Sequence, residues 1–346
     1  LGINVNYAPT VDVNMNPDNP VINVRSFSES PDEVAAMGAA QVIEFEKNGI
    51  ISAIKHFPGH GDTNVDSHTG LPKVMHSKEV IYAQDLAPFK QIIEQHSPGM
   101  IMTAHIQYPE LDSSTLTNVD GKQMIKPATM SRKIMTDILR DELNYQGVVV
   151  TDALDMAGIS HFFSPTQAVV NTFAAGVDIA LMPIEIRTPE DINKLDALID
   201  SLVSAVKTEQ LDADEIAHST QRITSLKHQF KLNALPNPIN ALANAKHIIG
   251  NKAHRELEAS LALAAITQIR NNNNTLPLKL GADKHIHIIM PDTRKCMAMQ
   301  QAISALSSQP LSFSCSSLQG FDPGEAQRNI NQASIVIAGN ATPNQS

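Results

Sequence analysis

Short apolar runs recur along the first part of the chain, and between them lie segments whose apolar residues have helical spacing. The runs are almost continuously apolar rather than alternating, which is typical of parallel strands that helices cover on both faces. The five runs span residues 3–9, 51–54, 100–105, 147–152 and 177–183. Strand and helix therefore alternate, and the pattern predicts an α/β fold.

The intervening segments carry recognisable helix ends. Ser30 is placed as an N-cap, Pro31 takes the first helical position, and the pair at 48–49 (Asn-Gly) stops the helix. Ser131 is the expected cap of a later helix. The predicted helices of this part cover residues 31–48, 77–96, 131–143, 165–175, 188–206 and 212–230.

Polar side chains end, or closely follow, four of the five runs: Asp12, His56, His105 and Asp152. In a (β/α)8 barrel the active site is built from the carboxyl ends of several strands, whereas a doubly wound sheet concentrates its site at one switch point. We therefore predict a partial (β/α)8 TIM-type barrel with about five of its eight βα units. The remaining three strands are expected upstream of Leu1.

The domain organisation changes near residue 232. We predict a catalytic barrel domain over 1–232, a linker rich in Asn, Ala and Pro over 233–250, and the beginning of a second α/β domain over 251–346. The chain lacks an initial Met and stops without an obvious domain end, so we expect truncation at both ends. The elements predicted in the second domain are helices 254–269 and 294–306 and strands 285–289 and 334–338.

Composition narrows the function classes. The chain has 346 residues, 42% of them hydrophobic, so it can bury a sizeable core. Its formal net charge of -10 argues against a nucleic-acid partner, and no apolar segment reaches the roughly 18 residues that span a bilayer. Cys296 and Cys315 are too few for a disulfide framework; a bridge between them stays undetermined, and unpaired thiols are the expectation.

Residues 55–68 form a loop that is unusually rich in ionisable groups, including His60, Asp62, Asp66 and His68. Asp66 and His68 are two residues apart, so the carboxylate can hold one imidazole nitrogen and leave the other for proton transfer near neutral pH. Loops carry function more often than packing roles.

Other strand ends supply a candidate nucleophile and hydrogen-bond donors to the same end of the predicted barrel. Asp152 can face the loop as a nucleophile. The cationic and imidazole side chains suited to hydroxyls or anionic groups are Arg25, Lys55, His56 and His105.

Several of these residue types also have structural interpretations. A lone Asp at a strand end is most often a helix cap, and Asp62 and Asp155 fit a turn or capping role. No function is assigned to three histidines on polar segments, His76, His218 and His228.

Residues 55–68 resemble the signature of family 3 glycoside hydrolases of the β-N-acetylglucosaminidase (β-N-acetylhexosaminidase) type. That signature is Lys-His-(Phe/Ile)-Pro-Gly-(His/Asn)-Gly, four residues, then Asp-(Ser/Thr)-His, and every position matches. Other members such as β-glucosidases share the Lys-His but lack the Asp-Ser-His. Further segments similar to two-domain members are 8–12, 25–27, 103–105, 150–154 and 254–278.

The resemblance implies a retaining exo-hydrolase that removes terminal non-reducing β-linked N-acetylglucosamine through a covalent glycosyl-aspartate, with no cofactor or metal. It implies that Asp152 is the nucleophile, that His68 is the general acid/base, and that Asp66 orients His68. A histidine here departs from the usual pair of carboxylates. The implied sugar-binding residues are Lys55, His56 and Arg25, with Asp12 and His105 in support.

The resemblance leaves the substrate open between peptidoglycan fragments and chitooligosaccharides, and transfer to phosphate is a conceivable side reaction. Location is also open, because two-domain members are often exported or envelope-attached and single-domain members often cytoplasmic. This chain resembles two-domain members, which favours an exported or envelope location over a cytoplasmic one. The family's sugar-binding Asp-x-Glu-Gly-Gly segment is absent from the sequence. We therefore expect the fragment alone to lack a closed barrel and full activity.

Two other functions compete with this one. A metal-dependent barrel hydrolase would use the loop histidines and aspartates as ligands, although their spacing suits no zinc motif. The second is a non-catalytic sugar-binding protein. Only 4% of residues are aromatic and Trp is absent, so the chain has few side chains on which a sugar ring could stack.

Overall fold

The computed structural model describes residues 2–66, 70–233 and 238–340. The chain forms two compact units, Leu1–Lys246 and His247–Ser346. The catalytic-domain, linker and second-domain bounds drawn from the sequence stay predictions. Among the described residues, no helix is both long and apolar enough to cross a membrane.

A parallel sheet organises the first unit, and its strands, Val5–Asn6, Ile51–Phe57, Met100–Thr103 and Val148–Val150, follow one another in chain order. An isolated parallel bridge from Val150 to Ile179 extends the same order by one further segment. A sheet that grows in one direction is typical of a barrel, whereas a doubly wound sheet reverses direction. The strands described here are β1 (Val5–Asn6), β2 (Ile51–Phe57), β3 (Met100–Thr103), β4 (Thr115–Thr117), β5 (Gln123–Ile125) and β6 (Val148–Val150).

Both faces of this sheet are buried, which explains the continuous apolar runs. Ile54 and Phe57 of β2 pack into a large core with Phe89 and other residues. Ile51 and Ala53 of the same strand belong to a second cluster on which side chains from residues 223–232 pack. An antiparallel pair, β4 with β5, follows β3 and was not predicted.

The predicted helical segments of the first unit form helices with two irregularities, whereas two further helices, Ala157–Ser160 and Pro238–Ile248, were not predicted. The predicted helix 77–96 is broken by a π-helical turn, Ile81–Asp85, ahead of Pro88, which lacks the N–H that a regular ladder needs. The predicted helix 131–143 is a π-helix, Lys133–Glu142. The α-helices are α1 (Pro31–Lys47), α2 (Lys78–Val80), α3 (Ala87–Gln95), α4 (Ala157–Ser160), α5 (Pro165–Ala174), α6 (Ile192–Lys207), α7 (Ala213–Gln229) and α8 (Pro238–Ile248).

The described part of the first unit also contains short 3-10 turns at Asn23–Arg25, Ala128–Met130 and Pro189–Asp191. Of the two predicted caps, Ser131 Oγ accepts a hydrogen bond from the Ile134 N–H at 3.2 Å, as expected. Ser30 stands at the N-cap of α1, but its side chain makes no capping hydrogen bond. Helix α8 lies inside the segment that the sequence treats as a linker.

The second unit has its own three-stranded parallel sheet in the order β8-β7-β9. The expectation of unpaired thiols is wrong, because Cys296 and Cys315 form a disulfide that joins α10 to β8. The sequence did not predict β8, whose serines hide the strand pattern. The elements are α9 (Lys252–Ala264), a 3-10 turn (Asn272–Asn274), β7 (His285–Met290), α10 (Thr293–Leu306), β8 (Ser312–Ser317), α11 (Pro323–Gln332) and β9 (Ile335–Ala338).

Candidate active site

Asp12 is the centre of the polar end of the first sheet and has no exposed surface. Its Oδ1 accepts from the backbone N–H of His56 at 3.1 Å and of His60 at 2.7 Å, and its Oδ2 lies 2.8 Å from His56 Nδ1. Burial raises the pKa of a carboxyl, but the two histidines outweigh it and hold the pKa of Asp12 below its usual value. Asp12 therefore fixes neighbouring groups and is shielded from a ligand.

His56 is oriented by this contact. Because the Asp12 carboxylate is an acceptor, His56 Nδ1 is the donor, and its Nε2 faces the other way. That Nε2 lies 3.9 Å from Asp152 Oδ2. The register of β2 against β3 shifts between Ile54 and Phe57, so His56 stands where the regular alternation of the strand is interrupted, as at many functional sites.

Asp152 follows β6 and keeps 20% of its side chain exposed. Its Oδ1 accepts from the Ala153 N–H at 2.8 Å. Burial opposes the charged form, but His56, His105 and the Ala153 hydrogen bond hold the pKa of Asp152 below its usual value. Asp152 is thus a partly exposed carboxylate that stays ionised at neutral pH, as a nucleophile requires.

Lys55 supplies positive charge next to this carboxylate, and Arg25 lies close enough to Lys55 to repel it. Burial, followed by repulsion from Arg25, lowers the pKa of Lys55, while attraction to Asp152 and Asp12 opposes the shift. Arg25 ends the 3-10 turn and donates from its guanidinium to the Val21 carbonyl at 3.1 Å. A pair of neighbouring cations suits a ligand with several hydroxyl or acyl oxygens.

His105 is buried and faces the polypeptide. Its Nε2 donates to the Ala153 carbonyl at 3.0 Å, and its Nδ1 lies 2.9 Å from Thr129 Oγ1. Burial lowers the pKa of His105, which favours the neutral ring. The Thr129 hydroxyl that contacts Nδ1 donates to the Ala104 carbonyl at 2.9 Å. Both ring nitrogens are occupied, and His105 braces the turn that carries Asp152.

The predicted proton-transfer pair lies at the edge of what the structure describes. His68 falls within residues 67–69, outside the described residues. Asp66 precedes that gap, and its backbone carbonyl accepts from the Gly70 N–H at 3.0 Å. The acid/base and orienting roles of His68 and Asp66 therefore stay predictions.

The first half of the loop is held closely against the segment around Asp12. A Cβ added at Gly61 would lie 1.6 Å from the Val13 carbonyl oxygen, so only glycine fits. Asn19 Nδ2 donates to the His60 carbonyl at 2.8 Å, and His60 Nδ1 lies 2.7 Å from Thr63 Oγ1. Burial and repulsion from His56 lower the pKa of His60 to about 4, so this ring is neutral.

The structure brings in one histidine that the sequence left without a role. His76 Nε2 lies 2.7 Å from Asp62 Oδ2, and His76 Nδ1 lies 2.9 Å from Asp85 Oδ2. Asp85 Oδ1 accepts from the Tyr108 hydroxyl at 3.1 Å. His76 is thus not a plain surface residue, and Asp62 is more than a turn residue. Since the partners are 14 residues upstream and 9 downstream, no sequence spacing indicated this group.

His56, His60 and Asp62 are side chains of metal-ligand type. Within residues 2–66, 70–233 and 238–340, no group of three or more His, Cys, Asp or Glu side chains could hold a metal ion. The rings of His56 and His60 meet edge to face with centroids 5.7 Å apart.

Comparison with known proteins identifies the family to which the chain belongs. The profile described as "Glycosyl hydrolase family 3 N terminal domain" matches residues 1–226. Beta-hexosaminidase A of Pseudoalteromonas piscicida is 56% identical over 346 residues, 100% of this chain and 57% of that protein. Beta-hexosaminidase LpqI of Mycobacterium tuberculosis is 33% identical over 233 residues, 66% of this chain and 55% of that protein. The chain thus spans just over half the length of these relatives.

A solved structure resembles both units of the chain. The family 3 β-N-acetylglucosaminidase from Paenibacillus sp. str. FPU-7 matches with a TM-score of 0.81 and 30% identity, over 99% of this chain and 64% of that one. This likeness confirms the predicted α/β fold class with its barrel-type first unit. The profile match and the 56% identity confirm the family that residues 55–68 suggested. The chain belongs to glycosyl hydrolase family 3.

Proposed function

We propose that the protein containing this chain is a retaining exo-β-N-acetylglucosaminidase that removes terminal, non-reducing β-linked N-acetylglucosamine. The observation that carries the proposal is Asp152, a partly exposed carboxylate with a lowered pKa at the end of β6, beside His56 and Lys55. The names of the relatives, beta-hexosaminidase and β-N-acetylglucosaminidase, support the substrate class.

In the first step, a carboxylate oxygen of Asp152 attacks the anomeric carbon as the bond to the leaving oxygen breaks. Protonated His68, oriented by Asp66, gives its proton to that oxygen. The products are a glycosyl ester of Asp152, a free alcohol and a neutral His68. Asp152 is suited to this role because its lowered pKa keeps it ionised at neutral pH.

In the second step, water attacks the same carbon and the ester bond to Asp152 breaks. Neutral His68 takes a proton from the water, which restores the imidazolium and the carboxylate. Each step inverts the anomeric centre, so the product keeps the β configuration.

The remaining site residues bind or position. Lys55 and Arg25 donate to sugar oxygens, and His56, with its Nδ1 on Asp12, presents Nε2 to a sugar hydroxyl. We assign Asp12 and His105 positioning roles, because both are buried and fully hydrogen-bonded to the protein. Peptidoglycan fragments and chitooligosaccharides both carry the required terminal sugar.

The test uses the full-length protein and an aryl β-N-acetylglucosaminide. Asp152→Asn is expected to lower kcat/KM by at least about a thousandfold, because the covalent step loses its nucleophile. The matched control is Asp155→Asn, which makes the same change three residues along, where the carboxylate has no role in the proposed chemistry. Proton NMR of the first-formed product should show the β anomer. Undiminished turnover by Asp152→Asn, or an α anomer, would overturn the proposal.

A further inference from the structure

His76 connects its own segment to two others in the first unit, the loop that carries Asp62 and the turn that carries Asp85. Its Nε2 lies 2.7 Å from Asp62 on the loop, and its Nδ1 lies 2.9 Å from Asp85 on the π-helical turn Ile81–Asp85. The side-chain exposures fall from 36% for Asp62 to 18% for His76 and 1% for Asp85. The contact therefore runs from the loop surface into the core.

The inner end of this contact is rigidly placed. The Tyr108 hydroxyl, with one proton to donate, lies 2.7 Å from the Gly59 carbonyl oxygen and 3.1 Å from Asp85 Oδ1. A Cβ added at Gly59 would lie 2.9 Å from Asp85 Cβ, so the loop backbone packs directly on this carboxylate. Asp85 is thus fixed to the same loop that His76 reaches from outside.

Charge decides how strongly His76 can hold both partners. A neutral imidazole has one N–H and can donate to one carboxylate only, whereas an imidazolium donates to both. The hydrogen bond to Asp85, with the further contact to Asp62, raises the pKa of His76 above its usual value. The charged form of the ring, which can donate to both carboxylates, is therefore favoured. Burial works against the pair at Asp85, because it raises the pKa of that carboxyl while the contact with His76 lowers it.

The contact sits where the catalytic part of the loop begins. Asp62 lies four residues before Asp66 and six before His68. Its chain neighbours are already held on the other side, since His60 donates its N–H to Asp12 and Gly61 packs on Val13. The loop base is thus tied to the strand ends on one side and to Asp85 through His76 on the other.

We propose that His76 is a positioning residue: by linking Asp62 to the buried Asp85, it fixes the base of the loop from which Asp66 and His68 extend. This inference rests on the proposed function, which gives His68 its acid/base role. His76 does not touch the substrate. It acts by limiting where the proton donor can go.

The kinetic test compares an activated aryl β-N-acetylglucosaminide with one that has a poor leaving group, using the full-length protein. Loss of a positioned acid slows the poor leaving group more, because only that oxygen needs a proton. His68→Ala defines this pattern, and His76→Ala is expected to show a weaker version, with kcat/KM for the poor leaving group falling at least about tenfold further than for the activated one. An enzyme that is only destabilised would lose kcat/KM for the two substrates by the same factor.

A matched control removes another histidine that is paired with a carboxylate. His96 Nε2 lies 3.4 Å from Glu46 Oε2, and neither residue belongs to the loop. His96→Ala should leave the ratio of the two substrates at the wild-type value. Asp62→Ala breaks the proposed link from its exposed end, so it keeps the test decisive if His76→Ala does not fold. The double variant, His76→Ala with Asp62→Ala, should change the ratio of kcat/KM for the two substrates no more than either single change does.

Hydrogen exchange separates this inference from the proposed function. His76→Ala and Asp62→Ala should raise amide exchange in residues 59–66, and His96→Ala should not. Unchanged exchange in that segment, or equal slowing of both substrates, would overturn the positioning role. If exchange rises but the wild-type protein cleaves neither glycoside, the proposed function fails while the link between loop and Asp85 stands.

Discussion

Asp12 and His56 form a buried pair in which carboxylate Oδ2 and ring Nδ1 are 2.8 Å apart, and this contact sets the geometry of the candidate active site. Through it, a group just beyond the first strand determines which imidazole nitrogen turns toward Asp152. The same carboxylate accepts two backbone N–H groups, from His56 and His60, so it also shapes the start of the loop. One buried side chain thereby aligns two neighbouring strand ends.

Replacing Asp12 should therefore damage stability and activity together. Asp12→Ala leaves the buried donors of His56 and His60 without an acceptor, and loss of one partner of a buried pair costs about 3–5 kcal/mol. We expect the free energy of unfolding of the first unit to fall by that amount in urea titrations. Asp12→Asn retains one oxygen and should lose about half as much.

The control for this pair is Asp18→Ala, an exposed aspartate six residues further on. It should change the free energy of unfolding by less than about 0.5 kcal/mol. A stable Asp12→Ala variant with wild-type kcat/KM would contradict the positioning role of Asp12.

Much of this site could be predicted from the sequence, because the end of a buried strand appears as an apolar run followed by a polar residue. Apolar runs that stop at Asp12, His56 and Asp152 indicate parallel strands whose carboxyl ends meet at one edge. The order of the strands and the family of the chain agree with that inference. Polar residues that follow buried strands are therefore informative even in a single sequence.

Other features could not be predicted, and the reasons are physical. His76 pairs with Asp62 and Asp85 only because a loop and a π-helical turn bring them together in space, and no periodicity encodes such a meeting. Sequence alone could not choose between a bridge and free thiols for Cys296, since the choice depends on the distance between α10 and β8. Tertiary contacts of this kind require the fold first.

The disulfide should stabilise the second unit alone. Cys296 and Cys315 are 19 residues apart with Cα atoms separated by 6.3 Å, and closing a loop of this length stabilises the folded state by about 3 kcal/mol. The variant Cys296→Ser with Cys315→Ser should show faster amide exchange in β7 and β8. Exchange in β2 and β3 of the first unit serves as the internal control, and equal exchange in β7 and β8 before and after the change would contradict the prediction.

The His76 contact should weaken as the pH rises. Its ring faces Asp62 on the loop and Asp85 on the π-helical turn, with the Tyr108 hydroxyl behind Asp85. The hydrogen bond to Asp85 and the contact with Asp62 raise the pKa of His76 above the usual value of 6.5.

A raised pKa fixes the sign of the linkage. The stabilisation is complete below pH 6.5 and is lost as the pH rises through the folded-state pKa, because the unfolded chain releases its proton first. Charge-assisted hydrogen bonds to a partly exposed imidazolium contribute about 2 kcal/mol. NMR titration of histidine-labelled protein should therefore place the midpoint of His76 above 6.5, and Asp85→Asn should lower that midpoint. A midpoint at or below 6.5 would show that the ring is neutral and cannot hold both carboxylates, whereas a raised midpoint that falls in Asp85→Asn identifies Asp85 as the partner that keeps it charged.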